Sequence, residues 1–446
     1  MKQDMARAFS AAARKSAGFI LIVCLVSSSF GLLTFLEFAW AETGDYTVVR
    51  VDGSVSKICQ LVGDWDMERN ESTTSLTYTR YGVAGTDLGV SFEHNGELMF
   101  LFGDTVGRNA FPFSGKDDSF AHTTDAAVDD GLNLTFYTGK PAMFLPPWVP
   151  GISQSAFEVP MEGIEVNGVA YVFFTINHTQ ERTMGGSILA KLDDATLNFT
   201  YLYTFSTDKF LNVHTAVVNN WLLAGLPEST GEGLLIWGSG EYRASDPYLA
   251  FMPLELIEDK SALHYFAGLT DNGNPLWSKS EADAQPLFHD PVIGELSVAW
   301  NQYLERWIML YAGVAMRSSP LPWGNWSAKQ ELFNPFTDDG YGYFIHLPGH
   351  DNITNPLRED EIGGTYGPYI IDKFITGNEQ TSTIYFTLST WNPYTTVLMQ
   401  AQLKKSQQQI PEFPSFLSAM LLCVVLVAVV LCAPYRRNTK INLHAK

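Results

Sequence analysis

Gly85-Thr86-Asp87-Leu88-Gly89, Val90-Ser91-Phe92-Glu93-His94, Asn95-Gly96 and then Leu98-Met99-Phe100-Leu101-Phe102-Gly103-Asp104-Thr105 make up the stretch on which the fold turns. Alternating apolar and polar residues up to His94 predict a strand, Asn95-Gly96 a two-residue turn, and the apolar run from Leu98 a second strand, together a β-hairpin. Each arm carries an Asp at its outer end, and antiparallel pairing sets position 87 opposite roughly position 104. Both carboxylates then reach one rim of the sheet. Two Asp beside turn glycines suit a carbohydrate or metal site, and they equally suit Asx-turn capping.

The same figure of strand, turn and very apolar strand recurs at Ile164 to Phe174, at Val217 to Leu223 with Gly233 to Gly238, at Leu296 to Trp300 with Arg306 to Tyr311, and at Tyr369 to Ile371 with Thr383 to Leu388. Between the copies lie amphipathic strands such as Ser187 to Leu192 with Phe199 to Tyr203, and Tyr248 to Met252 with Leu263 to Phe266. A strand-rich unit of roughly 50 to 70 residues, without a long soluble helix, is the sequence form of blades packed face to face. Five copies in 446 residues, with 36 Gly and 22 Pro for turns, predict an all-β, five-bladed β-propeller. A β-sandwich with long loops is the plain alternative.

The ends place the protein. Gly18 to Leu36 is apolar behind a basic start, and Ala39-Trp40-Ala41 matches a cleavage pattern, so residues 1–41 read as a signal peptide or an N-terminal anchor. Residues 416–435 form an uncharged apolar run followed by Arg436-Arg437. Such a run spans a bilayer core of ~30 Å, which makes 436–446 a cytoplasmic tail and turns the remainder outward. Between the ends stand a lead-in segment at 42–80, the propeller at 81–403 and a linker at 404–415. The expected location is the cell membrane, with one pass at the C-terminal side and an extracellular propeller. Cys59 alone lies in the exported part, so packing rather than a disulfide holds it. Six sequons, beginning at Asn70, Asn133, Asn177, Asn198, Asn325 and Asn352, fit export as a glycoprotein. The net charge of −20 repels phosphate backbones, so nucleic acid is not an expected partner.

In a propeller the inner strand of each blade lines a central channel, and residues at the heads of those strands converge. The pairs Asp117-Asp118, Asp129-Asp130, Asp193-Asp194 and Asp338-Asp339 sit in turn-like stretches without EF-hand spacing and read as solvated loops. No zinc-ligand spacing, Gly-x-Ser-x-Gly or phosphate loop occurs. What remains is Asp87 and Asp104 in the first copy and Glu295, in Gly294-Glu295-Leu296-Ser297, heading the fourth. Glu295 is either a turn residue or a proton donor at the pore.

Taken together, Gly-Thr-Asp-Leu-Gly at 85–89, Phe-Gly-Asp-Thr at 102–105, Gly-Glu-Leu-Ser at 294–297, Trp323-Gly324-Asn325-Trp326-Ser327, Tyr343-Phe344-Ile345-His346 and Tyr366-Gly367-Pro368-Tyr369 resemble the family catalogued as domain of unknown function 4185. The resemblance runs over roughly residues 80–403, in order. It implies a five-bladed propeller like those of furanosidases, and an activity like that of the endo-D-arabinanases among its members, which cut arabinofuranose polymers. Ile410-Pro411-Glu412-Phe413-Pro414 ahead of the apolar run is similar to archaeal surface-protein anchors. The chain departs from the family at Val159-Pro160-Met161-Glu162-Gly163, where Pro-Thr-Gly is expected, which puts that wall and the substrate in question.

The resemblance implies a site of Asp87 and Asp104 with Glu295 reaching in from another blade. Glycoside hydrolysis requires one protonated and one ionised carboxyl. Asp87 is expected as base or nucleophile, Glu295 as acid, and Asp104 as the neighbour that tunes Asp87 by like-charge repulsion. Arg243 is a candidate for hydrogen bonds to sugar hydroxyls, or for a salt bridge to an acid. Trp326 and Tyr366 are candidates for stacking on sugar, or for blade packing, and His346 for donating to substrate, or for a satisfied core position. The expected partner is a polysaccharide or glycoconjugate. No cofactor or catalytic metal is expected, and a structural calcium ion is left open. Three readings compete. A hydrolase requires three convergent acids; a non-catalytic glycan- or protein-binding propeller, a pore with one acid missing or paired to Arg243; a structural envelope protein, a plugged channel.

Overall fold

Asn95 and Gly96 both take positive φ, 52° and 81°, and His94 pairs with Glu97 across them. This is the turn geometry whose twist matches that of the flanking strands. Asn167 and Gly168 repeat it at 53° and 78°, pairing Val166 with Val169. The computed structural model describes residues 46–108, 117–152, 154, 157–177, 185–351, 353 and 359–407. The signal or anchor at 1–41, the Pro-Glu-Phe-Pro segment and the apolar run at 416–435 lie outside them. Among the described residues no helix is long and apolar enough to cross a membrane.

One compact unit spans Val48–Lys405. Its inner strands are Leu88–His94, Pro160–Val166, Asn212–Asn219, Leu296–Asn301 and Gly364–Ile370. Each contacts the next, and the last returns to the first, so five antiparallel sheets close a ring. The protein is a five-bladed β-propeller.

The very apolar strand of each copy is explained by its second place in the blade, covered on both faces. In Glu97–Gly107, Leu98, Phe100 and Phe102 pack with Ile371, Tyr385 and Leu398 of the fifth blade. Met99 and Leu101 point the other way, to Val172, Phe174 and Ile188 of the second. Leu234 and Ile236 likewise face the second blade, while Leu235 and Trp237 face Val298 and Met309 of the fourth.

Two inner strands are shifted from the expected positions. The third is Asn212–Asn219, and Asn220–Leu222 forms a 3-10 turn with Trp221 exposed. The fifth begins at Gly364 rather than Tyr369. Inner strands bear polar groups such as His214 and Thr215, which weakens the apolar signal sought in the sequence.

The lead-in segment supplies two strands to the fifth blade. Tyr46–Arg50 lies outermost, beside Thr395–Gln407, and Ser56–Gln60 pairs with the same strand. The Arg50 guanidinium holds Asp338 at 2.6 Å. Val48, fully buried, anchors this seam. Val48→Asp is expected to cost on the order of 3 kcal/mol, because an unpaired charge would sit in the closing sheet. A urea midpoint equal to that of the unchanged protein would show that the seam contributes nothing.

Candidate active site

Asp87 stands at the head of the first inner strand, where Leu88 and Gly89 take φ of 63° and 95°. A positive φ is strained for a leucine and marks a bulge, and the register shifts between Leu88↔Phe102 and Val90↔Leu101. As a result position 87 faces Gly103 rather than Asp104: the Gly103 amide donates to the Asp87 carbonyl at 3.1 Å. The Asp87 carboxyl leans over Gly103, occupying the space a side chain would need.

Tyr366 of the fifth blade donates its hydroxyl to Asp87 Oδ2 at 3.0 Å, and Oδ1 is buried without a hydrogen-bond partner. Burial first, then the charge of Asp104, push the Asp87 carboxyl up to about 8, against the effect of Tyr366 and Tyr394, and the Glu295 charge adds to the rise. Tyr394 lies beside the same carboxyl, but donates its proton to the Asp104 carbonyl at 2.7 Å.

Asp104 is more open. Both its oxygens accept the Phe157 amide, at 3.0 and 3.2 Å. Burial raises this carboxyl, the Phe157 amide lowers it, and the Glu158 charge raises it again, leaving it at about 6. Glu295 heads the fourth inner strand and is 8% exposed. It accepts the Tyr242 hydroxyl at 2.8 Å on Oε1, and the Arg243 guanidinium stands 3.6 Å from Oε2. All five blades thus contribute to one mouth.

The structure brings Asp87, Asp104, Glu295, Arg243 and Tyr366 together. Tyr366 holds Asp87 through its hydroxyl. Trp326 packs elsewhere, its ring 6.0 Å from that of Phe288 and its indole donating to the Pro322 carbonyl. His346 is fully buried, with Asp351 and the Glu359 carbonyl on its two nitrogens at 2.9 and 2.8 Å. Burial opposes its charge, yet these two acceptors outweigh that and raise its pKa. It is a satisfied, buried histidine.

Reading Asp117-Asp118 as a solvated loop needs correction. The pair opens the strand Asp117–Thr123, and Asp118 is 5% exposed. Burial, then the charges of Asp104 and Asp87, hold it well above the usual carboxylate range. Glu158, 1% exposed, was also missed. It stands two residues before the second inner strand, much as Asp87 and Glu295 stand directly before theirs, and that shared place was the available signal. Tyr242, Tyr394 and Phe157 carry no motif.

Deeper in the ring, Glu162 from the departing stretch pairs with His214 of the third blade at 2.5 Å. Burial disfavours the His214 charge, but Glu162 outweighs it and raises the pKa. Among the described residues no group of three or more His, Cys, Asp or Glu is arranged to hold a metal ion.

No curated protein matches the sequence. Among solved structures, a GH43_1 enzyme from Xanthomonas citri complexed with xylotriose is 11% identical at a TM-score of 0.38, covering 78% of this chain and 90% of its own. An arabinanase from Bacillus subtilis is 11% identical at 0.37, covering 71% and 96%. A protein of unknown function from Dyadobacter fermentans is 10% identical at 0.37, covering 80% and 100%. Residues 72–400 match one family model, and the chain belongs to that family, described as domain of unknown function 4185.

Proposed function

We propose that this protein is a glycoside hydrolase acting on a furanose-containing, arabinan-like polysaccharide, held outside the cytoplasm by its C-terminal apolar run. The observation that carries the reading is the pair Asp87 and Asp104, two carboxyls on one rim in environments that push their proton affinities apart. Such a pair divides into an acid and a base near neutral pH. Asp87, half-buried and repelled by its neighbours, retains a proton for the leaving oxygen. Asp104, held by a backbone amide and more open, is ionised and acts on water or on the sugar carbon. This reading departs from the roles expected of the sequence, because Glu295 accepts the Tyr242 hydroxyl on Oε1 and has the Arg243 guanidinium 3.6 Å from Oε2. The preference for furanose rests on the family resemblance of the motifs.

The roles fix a pH profile. Activity rises as Asp104 ionises through about 6 and falls as Asp87 loses its proton through about 8. The expected result is a bell for kcat/KM on arabinan, measured by release of reducing ends. Glu295→Gln removes a charge that favours the protonated form of Asp87, so the basic limb is expected to move down by about half a unit. If Glu295 were the acid, that limb would disappear instead, and the assignment would fail.

A second reading is favoured by one observation, the Arg243 pairing with Glu295 at 3.6 Å. It makes the ring a non-catalytic glycan-binding propeller. Binding of arabino-oligosaccharides with no new reducing ends at any pH from 5 to 9, on the order of the range that brackets both carboxyls, would select it.

A further inference from the structure

Phe157 is the residue at the mouth that neither motif nor repeat explains. It takes φ of 72°, a left-handed conformation that is an outlier for an aromatic residue, and its surface is 45% exposed. The strain is held in place from below. Thr175, fully buried, donates its hydroxyl to the Phe157 carbonyl at 3.4 Å and accepts the Val159 amide at 2.8 Å. Turned this way, the Phe157 amide meets both oxygens of Asp104. The titratable groups that face Asp104 are the carboxyls of Asp87 and Asp118 on its own blade, Glu158 next to Phe157, and the Tyr394 phenol of the fifth blade, so this amide opposes the surrounding negative charge.

We propose that Phe157 is a positioning and specificity residue of the hydrolase. Its strained backbone holds the Asp104 carboxylate as the base, and its exposed ring is an apolar platform for the sugar beside the scissile bond. The inference rests on the hydrolytic reading of the same site. Strain of this kind, over-determined by buried neighbours, persists where it serves a site. Sugar rings present an apolar C–H face to which an aromatic ring adds contact energy worth about tenfold in affinity.

Two substitutions separate the two halves. Phe157→Gly accepts the left-handed backbone and keeps the amide but loses the ring. KM for an arabinofuranose hexasaccharide is expected to rise about tenfold, with the acidic limb of the profile unmoved. Phe157→Val disfavours that backbone, so the amide leaves Asp104. The acidic limb is then expected to shift up by about one pH unit, and a carbon-13 carboxyl titration should follow the same shift. Equal KM in Phe157→Gly overturns the platform, and an unmoved Asp104 titration in Phe157→Val overturns the positioning role. Calorimetry with the hexasaccharide distinguishes failure of the underlying reading. No turnover by the unchanged protein, together with binding that weakens in Phe157→Gly, removes the hydrolase and keeps the platform. Failure of the hexasaccharide to bind the unchanged protein overturns the platform as well.

Discussion

Asp87→Asn is expected to lower hydrolysis by about a thousandfold or more and, at the same time, to make the protein harder to unfold above pH 8. The two effects have one cause. The carboxyl is raised to about 8 in the folded protein, chiefly by burial. A group raised on folding contributes stability that is fully present below its unfolded value near 4 and is lost as the pH climbs through the folded value. Above pH 8 the unchanged protein must therefore hold a dry, repelled carboxylate in its mouth. The amide has no such charge. At pH 9 the variant is expected to gain on the order of 3 kcal/mol over the unchanged protein, while near pH 4 the two differ little. Urea unfolding at both pH values, beside an arabinan assay, measures this. Unchanged turnover removes Asp87 from the chemistry, and equal destabilisation at both pH values makes its role one of packing.

Gly103→Ala should produce the second large loss. A Cβ there would run into Asp87 Oδ1, with Val159 Cγ1 at 2.9 Å and Leu88 Cδ1 at 3.1 Å behind it. Leu88 belongs to the first inner strand and Val159 is packed against two core clusters, so the carboxyl is what moves, out of the reach of Tyr366. Activity is expected to fall about a hundredfold, since a small misplacement of an acid is that costly, and stability by about 2 kcal/mol from overpacking. Gly96→Ala provides the contrast, because nothing lies within 4 Å of its Cβ and only its φ of 81° is strained. It should cost about 1 kcal/mol and leave turnover alone. Equal activity losses in the two variants would dissociate Gly103 from the site.

The hairpins were legible because Asn-Gly turns have a fixed geometry and because strands covered on both faces, such as Leu98 to Phe102, are apolar at every position. The inner strands were less so. Asn212-Val213-His214-Thr215, buried on an inner strand, is polar at three of four positions and carries no continuous apolar run. Tyr46–Arg50 escaped as a blade strand since only Val48 within it is buried. Asp87, Asp104 and Glu295 were visible as acids placed at strand heads. Asp118 and Glu158 were not, because burying an acid runs against the rule by which cores are found. The one-residue slip that sets Asp87 over Gly103 has no signature beyond Leu88-Gly89, since Leu is the last residue from which a left-handed backbone is expected.

The seam of the fifth blade has a temporal side. The Val51 amide bonds the Gln402 carbonyl, so a strand made before the first blade waits for one made after the fourth. Four blades can assemble while the chain is still being delivered, but the fifth sheet stays an unzipped edge until the last strand arrives. Pairing over so long a loop is slow, and an open edge invites other chains. A protein cut short before Thr395 would therefore be lost to self-association rather than persist as a smaller ring.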